Sequence, residues 1–192
     1  MIIAGDQLGG GPSSSPCCPR CTDVPLRPWG HARARQLRQR DGSRLLLRPR
    51  RLRCPACGTT HVLLPTVAAP RRADTVDVIG AALLAKARGI GHRRIAAELG
   101  RPPATVRGWI RRATRAADAI RDRAIKITAR LGPDPHPPTL ASAGSPLGEA
   151  IEELGSAVAA VARRFGPVAQ PWHLAALISA GLLPPPQRSR PG

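Results

Sequence analysis

Two cysteine pairs with the same spacing, Cys18-Pro-Arg-Cys21 and Cys54-Pro-Ala-Cys57, constrain the N-terminal part of this chain more than any other feature. A Cys-x-x-Cys turn points two sulfurs at one ion, and two such turns supply the four thiolates of a closed tetrahedral site. Cys18, Cys21, Cys54 and Cys57 are therefore the expected ligands of a Zn²⁺ ion. A shell closed by four sulfurs leaves no position for water or substrate, so the expected role of the metal is structural, not catalytic. Gly58 supplies the backbone freedom that a knuckle turn needs. Cys17 could replace Cys18 in a wider loop, but only Cys18 gives the two-residue gap. His31 and His61 also have ligand chemistry, yet four sulfurs already fill the shell. A redox pair of the thioredoxin type would need a βαβ context that the pattern lacks.

The segment between the pairs reads as strands. His31–Gln39 and Arg44–Arg53 flank the turn dipeptide Asp41-Gly42, a hairpin signal. His61-Val62-Leu63-Leu64 reads as a further short strand, ended by Pro65. Knuckle, hairpin, knuckle, strand is the organisation of a zinc ribbon, expected over residues 17–66.

Hydrophobic periodicity then switches to helical. Val76, Ile79, Ala82 or Leu83, and Ala87 share one face of a first helix, which Gly89 ends. A second helix is expected over His92–Leu99, with Gly100 as its stop. Pro103 suits the first position of a third helix, where its missing N–H costs nothing. That helix runs at least over Ala104–Arg115, and the spacing through Ile127 carries it, or a fourth helix, to about Leu131. Ile95, Ala96, Leu99, Gly100, Val106 and Trp109 fall where a helix-turn-helix needs them. Arg101 is a departure, because an apolar residue is more usual after the turn glycine. Residues 71–131 form the expected helix-turn-helix domain. Pro and Gly enrichment marks 132–146 as a linker. Ile151, Leu154, Val158, Val161 and Phe165 make an apolar stripe, and a last helix is expected from Trp172 to Leu183. This C-terminal helical pair spans 147–183. The stripe reads as a packing face, with homodimerisation through it as the alternative. The Gly- and Ser-rich residues 1–16 and the Pro/Arg tail 184–192 are expected to be disordered.

Charge narrows the function classes. The chain carries a formal +18, and Arg20–Arg130 holds 26 basic against 7 acidic residues, so the excess lies on the cysteine and helix-turn-helix segment. A polyanion partner accounts for it, with a merely solvated basic surface as the alternative. On the third helix, Arg107, Arg111 and Arg115 recur at i, i+4, i+8 opposite Val106, Trp109 and Ala113. Docked in a major groove, the start of such a helix meets base edges. Thr105 and Arg107 are the expected base readers, Arg107 being able to grip a guanine with two hydrogen bonds. Arg111, Arg112 and Arg115 are expected on phosphates, together with Arg93 and Arg94 at the start of the second helix. Arg48, Arg50, Arg51 and Arg53 either extend that backbone contact or form a solvated strand face.

Enzyme readings do poorly. A transposase of the Asp-Asp-Glu type needs three carboxylates on a large sheet-based domain, and the residues after the helices leave no room for one. No His-x-Glu of a zinc deaminase occurs, and no phosphate-binding Gly loop ending in Lys-Ser/Thr. The chain is expected not to be an enzyme. No run approaches ~20 apolar residues, so no membrane association is expected. Five cysteines, four in ligand-like pairs, suit a reducing cytoplasm, here at the nucleoid.

Leu52-Arg-Cys-Pro-Ala-Cys-Gly-Thr-Thr-His-Val-Leu-Leu-Pro65, Val78-Ile-Gly-Ala-Ala82, Ile95-Ala-Ala-Glu-Leu-Gly100 and Thr105-Val-Arg-Gly-Trp109 resemble a family of actinobacterial zinc-ribbon plus helix-turn-helix proteins of unassigned function. They also resemble the N-terminal DNA-recognising parts of insertion-sequence transposases. The likeness covers roughly residues 17–116. It implies a small α+β fold: a zinc ribbon on a homeodomain-like three-helix unit, with the four cysteines as ligands and the third helix as reader. Thr22 departs from the family pattern, standing where a Gly commonly follows the first knuckle. The expected function is a non-enzymatic protein binding double-stranded DNA, either a transcriptional regulator or a transposase-related recognition protein. A homodimer or a transposase or integrase is the expected protein partner. A protein-interaction adaptor with only loose nucleic-acid affinity is the rival reading.

Overall fold

Pro49 divides the insert between the cysteine pairs. With no N–H it cannot continue an antiparallel ladder, and the single long hairpin expected from the sequence becomes two ladders. In the computed structural model, which describes residues 2–4, 16–132 and 144–179, the strands are β1 (Ile2–Ala4), β2 (Arg27–His31), β3 (Arg35–Arg38), β4 (Arg44–Leu47), β5 (Arg50–Arg53) and β6 (Thr60–Leu64). β3 and β4 form the two-stranded hairpin, with Arg35 opposite Leu47 and Arg38 opposite Arg44. β2 and β5 belong to a second sheet of order β1-β6-β5-β2. Gly30, at φ +75°, lies where the β2–β5 register shifts between Pro28 and His31. The amide of Ala32 donates to the Pro49 carbonyl at 2.8 Å where one ladder hands over to the other. The Asp41-Gly42 turn is as expected: Gly42 sits at φ +85°, and the Asp41 carboxylate accepts from the amide and hydroxyl of Ser43.

β1 is a correction to the expected disorder of residues 1–16. Ile2–Ala4, with two β-branched residues, pairs in parallel with Val62–Leu64 of β6. The rest of that segment up to residue 15 lies outside the described residues.

The helices follow the 3.6-residue periodicity closely. They are α1 (Val76–Ala87), α2 (His92–Glu98), α3 (Pro103–Arg115), α4 (Ala117–Leu131), α5 (Pro146–Phe165) and α6 (Pro171–Ile178). Gly89 (φ +88°) and Gly100 (φ +61°) take the left-handed conformation that ends α1 and α2. Pro103 occupies the first turn of α3, and a break at Ala116 makes α4 a separate helix. Ser145 caps α5, its hydroxyl accepting from the Gly148 amide at 3.1 Å.

The C-terminal helices do not form a core of their own. Leu147, Ala150, Ile151, Leu154, Ala157 and Ala175 are buried in one cluster with Val78, Ile79, Leu83, Val106, Trp109 and Ile120. The 148–165 stripe is thus mostly spent on internal packing. α6 docks through Trp172, whose indole lies where a Cβ on Gly80 of α1 would have to be. His173 adds polar contacts, its Nδ1 3.3 Å from the Thr66 hydroxyl and its Nε2 3.0 Å from Asp77. Residues 133–143 of the expected linker, and 180–192 with the expected tail, lie outside the described residues.

Candidate metal centre and basic helix face

Each cysteine pair sits on a hydrogen-bonded turn, although the bonds that close the two turns differ. In the first, the Cys18 amide donates to the Val24 carbonyl and the Cys21 amide to the Cys18 carbonyl. In the second, the Cys54 amide donates to the Thr59 carbonyl and the Gly58 amide to the Cys54 carbonyl. The residue after each second cysteine has positive φ, +59° at Thr22 and +69° at Gly58. Both knuckles therefore make the same left-handed turn, and the first makes it without glycine. A β-branched residue there is strained by about 1–2 kcal/mol. Thr22→Gly is expected to stabilise the strand module by up to about 1 kcal/mol, less than the strain because glycine also loosens the unfolded chain. Thermal melting of the metal-loaded protein checks this; a lowered midpoint would contradict it.

The four sulfurs of Cys18, Cys21, Cys54 and Cys57 lie within 4.8 Å of one another. Cys18 Sγ is 3.8 Å from Cys57 Sγ, and Cys54 Sγ is 3.9 Å from Cys21 Sγ. A tetrahedron with metal–sulfur bonds of about 2.3 Å has sulfur edges of about 3.8 Å, so these spacings fit one ion. They are far too long for disulfides, whose sulfurs stand about 2 Å apart. Cys17 is exposed and outside the cluster, whereas Cys18 is fully buried in it. Cys18, with Leu26, Leu52 and Cys54, also forms the small apolar core of this module.

The thiols have different proton affinities. The hydroxyl of Thr59, 3.2 Å from Cys57 Sγ, and then its amide favour the thiolate there, lowering Cys57 to about 6. Hydrogen bonding to Cys57, followed by desolvation, pushes Cys21 up to about 12. Four thiolates this close repel one another, and a central cation is what allows all of them to ionise. His61 is fully buried behind the cluster, its Nε2 3.6 Å from Cys18 Sγ, and burial lowers its proton affinity. It touches a ligand rather than adding a fifth. His31 lies exposed on β2.

On the helical side, α3 buries Val106, Trp109 and Ala113 and exposes Ala104, Arg107, Arg111 and Arg115; Thr105 is half-buried. The expected stripe is thus one open face. Two expected contacts depart from it. Arg112 is half-buried against Gly108, close enough that a Cβ there would lie 3.2 Å from its guanidinium, and burial and Arg111 lower its proton affinity. Arg94 is exposed but paired with Glu98 one turn along α2, at 3.1 Å. Arg93 is exposed.

Sequence reasoning missed a junction that ties the hairpin to the helices. Asp74, just before α1, is buried and accepts from Arg101 Nε at 2.6 Å and from Arg38 of β3 at 2.8 Å. Arg101 also donates to the carbonyls of Leu99 and Gln39. The Arg38 amide donates to Ala73, and the Thr75 amide to Arg38. The departure at Arg101 was the available signal: an arginine in a place for an apolar residue has a buried acceptor to meet.

Fold and site together define a small α+β protein in which a four-cysteine, metal-competent strand module is joined to a helical unit. Residues 18–109, from the first cysteine of the cluster to Trp109 of α3, match a family model described as a domain of unknown function, DUF6431. Nothing among the curated proteins or the solved structures matches the chain. Among the described residues, no helix is long and apolar enough to cross a membrane.

Proposed function

We propose that this is a zinc-containing helix-turn-helix protein that binds double-stranded DNA, acting as a transcriptional regulator or as a transposase-related recognition protein without a catalytic domain. The observation that carries the reading is the two-sided character of α3. One side is locked into the core by Val106, Trp109 and Ala113, and the other is an exposed arginine face. An arginine row with no acidic residue on the helix is poorly explained as a stability device, since like charges at i, i+4 repel. It suits a duplex whose grooves and phosphates are lined with acceptors.

In this reading α3 enters the major groove. Thr105 and Arg107 meet base edges, while Arg111, Arg115 and Arg93 neutralise phosphates. Arg94 reaches a phosphate only by releasing Glu98, and Arg112 only by leaving Gly108, so their shares are smaller. Zn²⁺ on the four cysteines would hold the strand module, and the Asp74 junction would fix that module against the α2–α3 turn. The four-sulfur shell favours zinc because thiolates in a tetrahedron suit a soft divalent ion.

Selection of bound duplexes from a random pool by the zinc-loaded chain tests this. A recovered motif that persists as salt rises supports base reading; binding that only fades with salt counts against it, and favours the adaptor reading. Arg107→Ala is expected to cost ~1–3 kcal/mol on the selected duplex and to relax preference at one base pair. A loss of equal size on every sequence would oppose the base-reading role.

A further inference from the structure

The exposed edge of the strand module carries a second basic surface, on elements other than α3. β2 lies at the end of its sheet, and all five of its residues are exposed. Trp29 stands at its centre with half of its surface open, 51 %. The guanidinium carbon of Arg53 lies 4.6 Å from the Trp29 ring centroid, and Arg53 Nε donates to the Gly58 carbonyl at 3.3 Å. Arg27 is paired opposite Arg53, and His31 opposite Arg50. Over residues 24–57 the chain has 10 arginines and one acid, Asp41 at the hairpin turn, where it is occupied by Ser43.

The contacts of Arg53 with Trp29 and the Gly58 carbonyl account for the place of Arg53 but not for the facing cations. Cationic residues directly opposite one another in a ladder destabilise it, and no acidic residue of the ladder offsets them. An exposed tryptophan in the same field adds apolar surface that the fold leaves in water. Both features fit a ligand that is anionic along its length and presents flat aromatic faces. Base pairs in a duplex hide those faces in the stack, so a tryptophan finds no open base there. Unpaired nucleotides offer them, and combined arginine and aromatic surfaces are how sequence-tolerant single-strand binders work.

We propose that the β2/β5 face binds single-stranded nucleic acid, with Trp29 stacking on an unpaired base and Arg27 and Arg53, on the same face, holding the flanking phosphates. This goes beyond the duplex reading of α3 and does not depend on it. The arginine stacked on Trp29 keeps the ring oriented, so one indole face is backed by a cation while the exposed surface receives the base.

The test uses the full zinc-loaded chain, a labelled oligothymidine and a labelled duplex of equal length, with binding read by fluorescence anisotropy. Trp29→Ala is expected to weaken oligothymidine binding roughly 5- to 150-fold, the range that loss of one stacked base gives. Duplex affinity should stay unchanged, and Trp29→Phe should restore most of the single-strand affinity. Arg107→Ala should show the reverse pattern, losing duplex and keeping oligothymidine, so the two surfaces fail separately. Metal content and far-UV circular dichroism of Trp29→Ala verify that the module is still folded. Tryptophan emission gives a second readout: oligothymidine should quench it in the native chain and leave it unchanged in Trp29→Phe, which retains Trp109 and Trp172. Equal oligothymidine affinity in Trp29→Ala and the native chain would overturn the proposal. An equal loss on single strand and duplex would also overturn it, since the face would then be only a general phosphate contact.

Discussion

Cys54→Ser is expected to abolish metal binding and to unfold the strand module while leaving the helices in place. Structural zinc sites in small modules contribute ~10–16 kcal/mol of binding free energy, which is folding free energy when no preformed site exists in the unfolded chain. The local apolar core cannot offset such a loss: its buried members are Leu26, Leu52 and two of the ligands themselves, Cys18 and Cys54. The helical cluster contains no residue of β2, β5 or the knuckles, so it should survive. Metal content by mass spectrometry and hydrogen exchange resolved along the chain measure both halves of the expectation. Protection should vanish over β2 and β5 and persist in α1, α3, α4 and α5, while β6 is partly held by its own cluster of Leu64 with Leu37 and Ala68. Cys17→Ser, at the exposed cysteine, is the control and should retain the ion. Retained metal in Cys54→Ser, or melting of the helices together with the strands, would contradict this account.

Asp74→Ala should be strongly damaging although Asp74 lies outside both the cysteine cluster and the apolar core. Its side chain is 3 % exposed and holds two arginines, one of them, Arg101, only 9 % exposed. Removing one partner of a buried pair leaves an uncompensated charge, at a cost of about 3–5 kcal/mol. Arg38→Ala should cost much less, about 1 kcal/mol or below, because that partner is 39 % exposed and water screens the pair. Urea denaturation of the two variants separates these values. Equal, small losses would mean that Arg101 finds enough support from the carbonyls of Leu99 and Gln39 without Asp74. A large loss should also appear as increased proteolysis near β3 and the α2–α3 turn, since the junction joins those segments.

The parts of the fold that follow from local chemistry were legible in the chain. Identical Cys-x-x-Cys spacing pointed to one four-sulfur cluster, and the four sulfurs do lie within 4.8 Å of one another, a spacing compatible with a metal ion. Period and punctuation located α1 to α3 within a residue or two and the end of α4, though not the break before it: Gly89 and Gly100 take φ values that other residues avoid, and Pro103 starts α3 at no hydrogen-bond cost. The exposed positions of Arg107, Arg111 and Arg115 followed from the burial of Val106, Trp109 and Ala113, since a helix that buries one face must present the other.

What was not legible depends on partners far apart in sequence. Pro49 was a legible break in the long hairpin, but the pairing of β5 with β2 and β6 was not, because alternation within a strand does not name its neighbours. The sequence contains Asp74 and Arg101 but no local pattern links them; only the closure of the hairpin onto the α2–α3 turn brings them to 2.6 Å. The C-terminal helices read as a separate pair because a proline-rich stretch precedes them, yet Gly80 leaves a place for the Trp172 indole and one core runs through both. Sequence alone therefore determined which four cysteines cluster, most of the helix starts and stops and the side of α3 that faces water, all decided by turn geometry and residue-by-residue periodicity. Tertiary structure alone decided which strands pair, which charges are buried together and where the last helices dock, because those depend on desolvation and contact between segments with no shared local pattern.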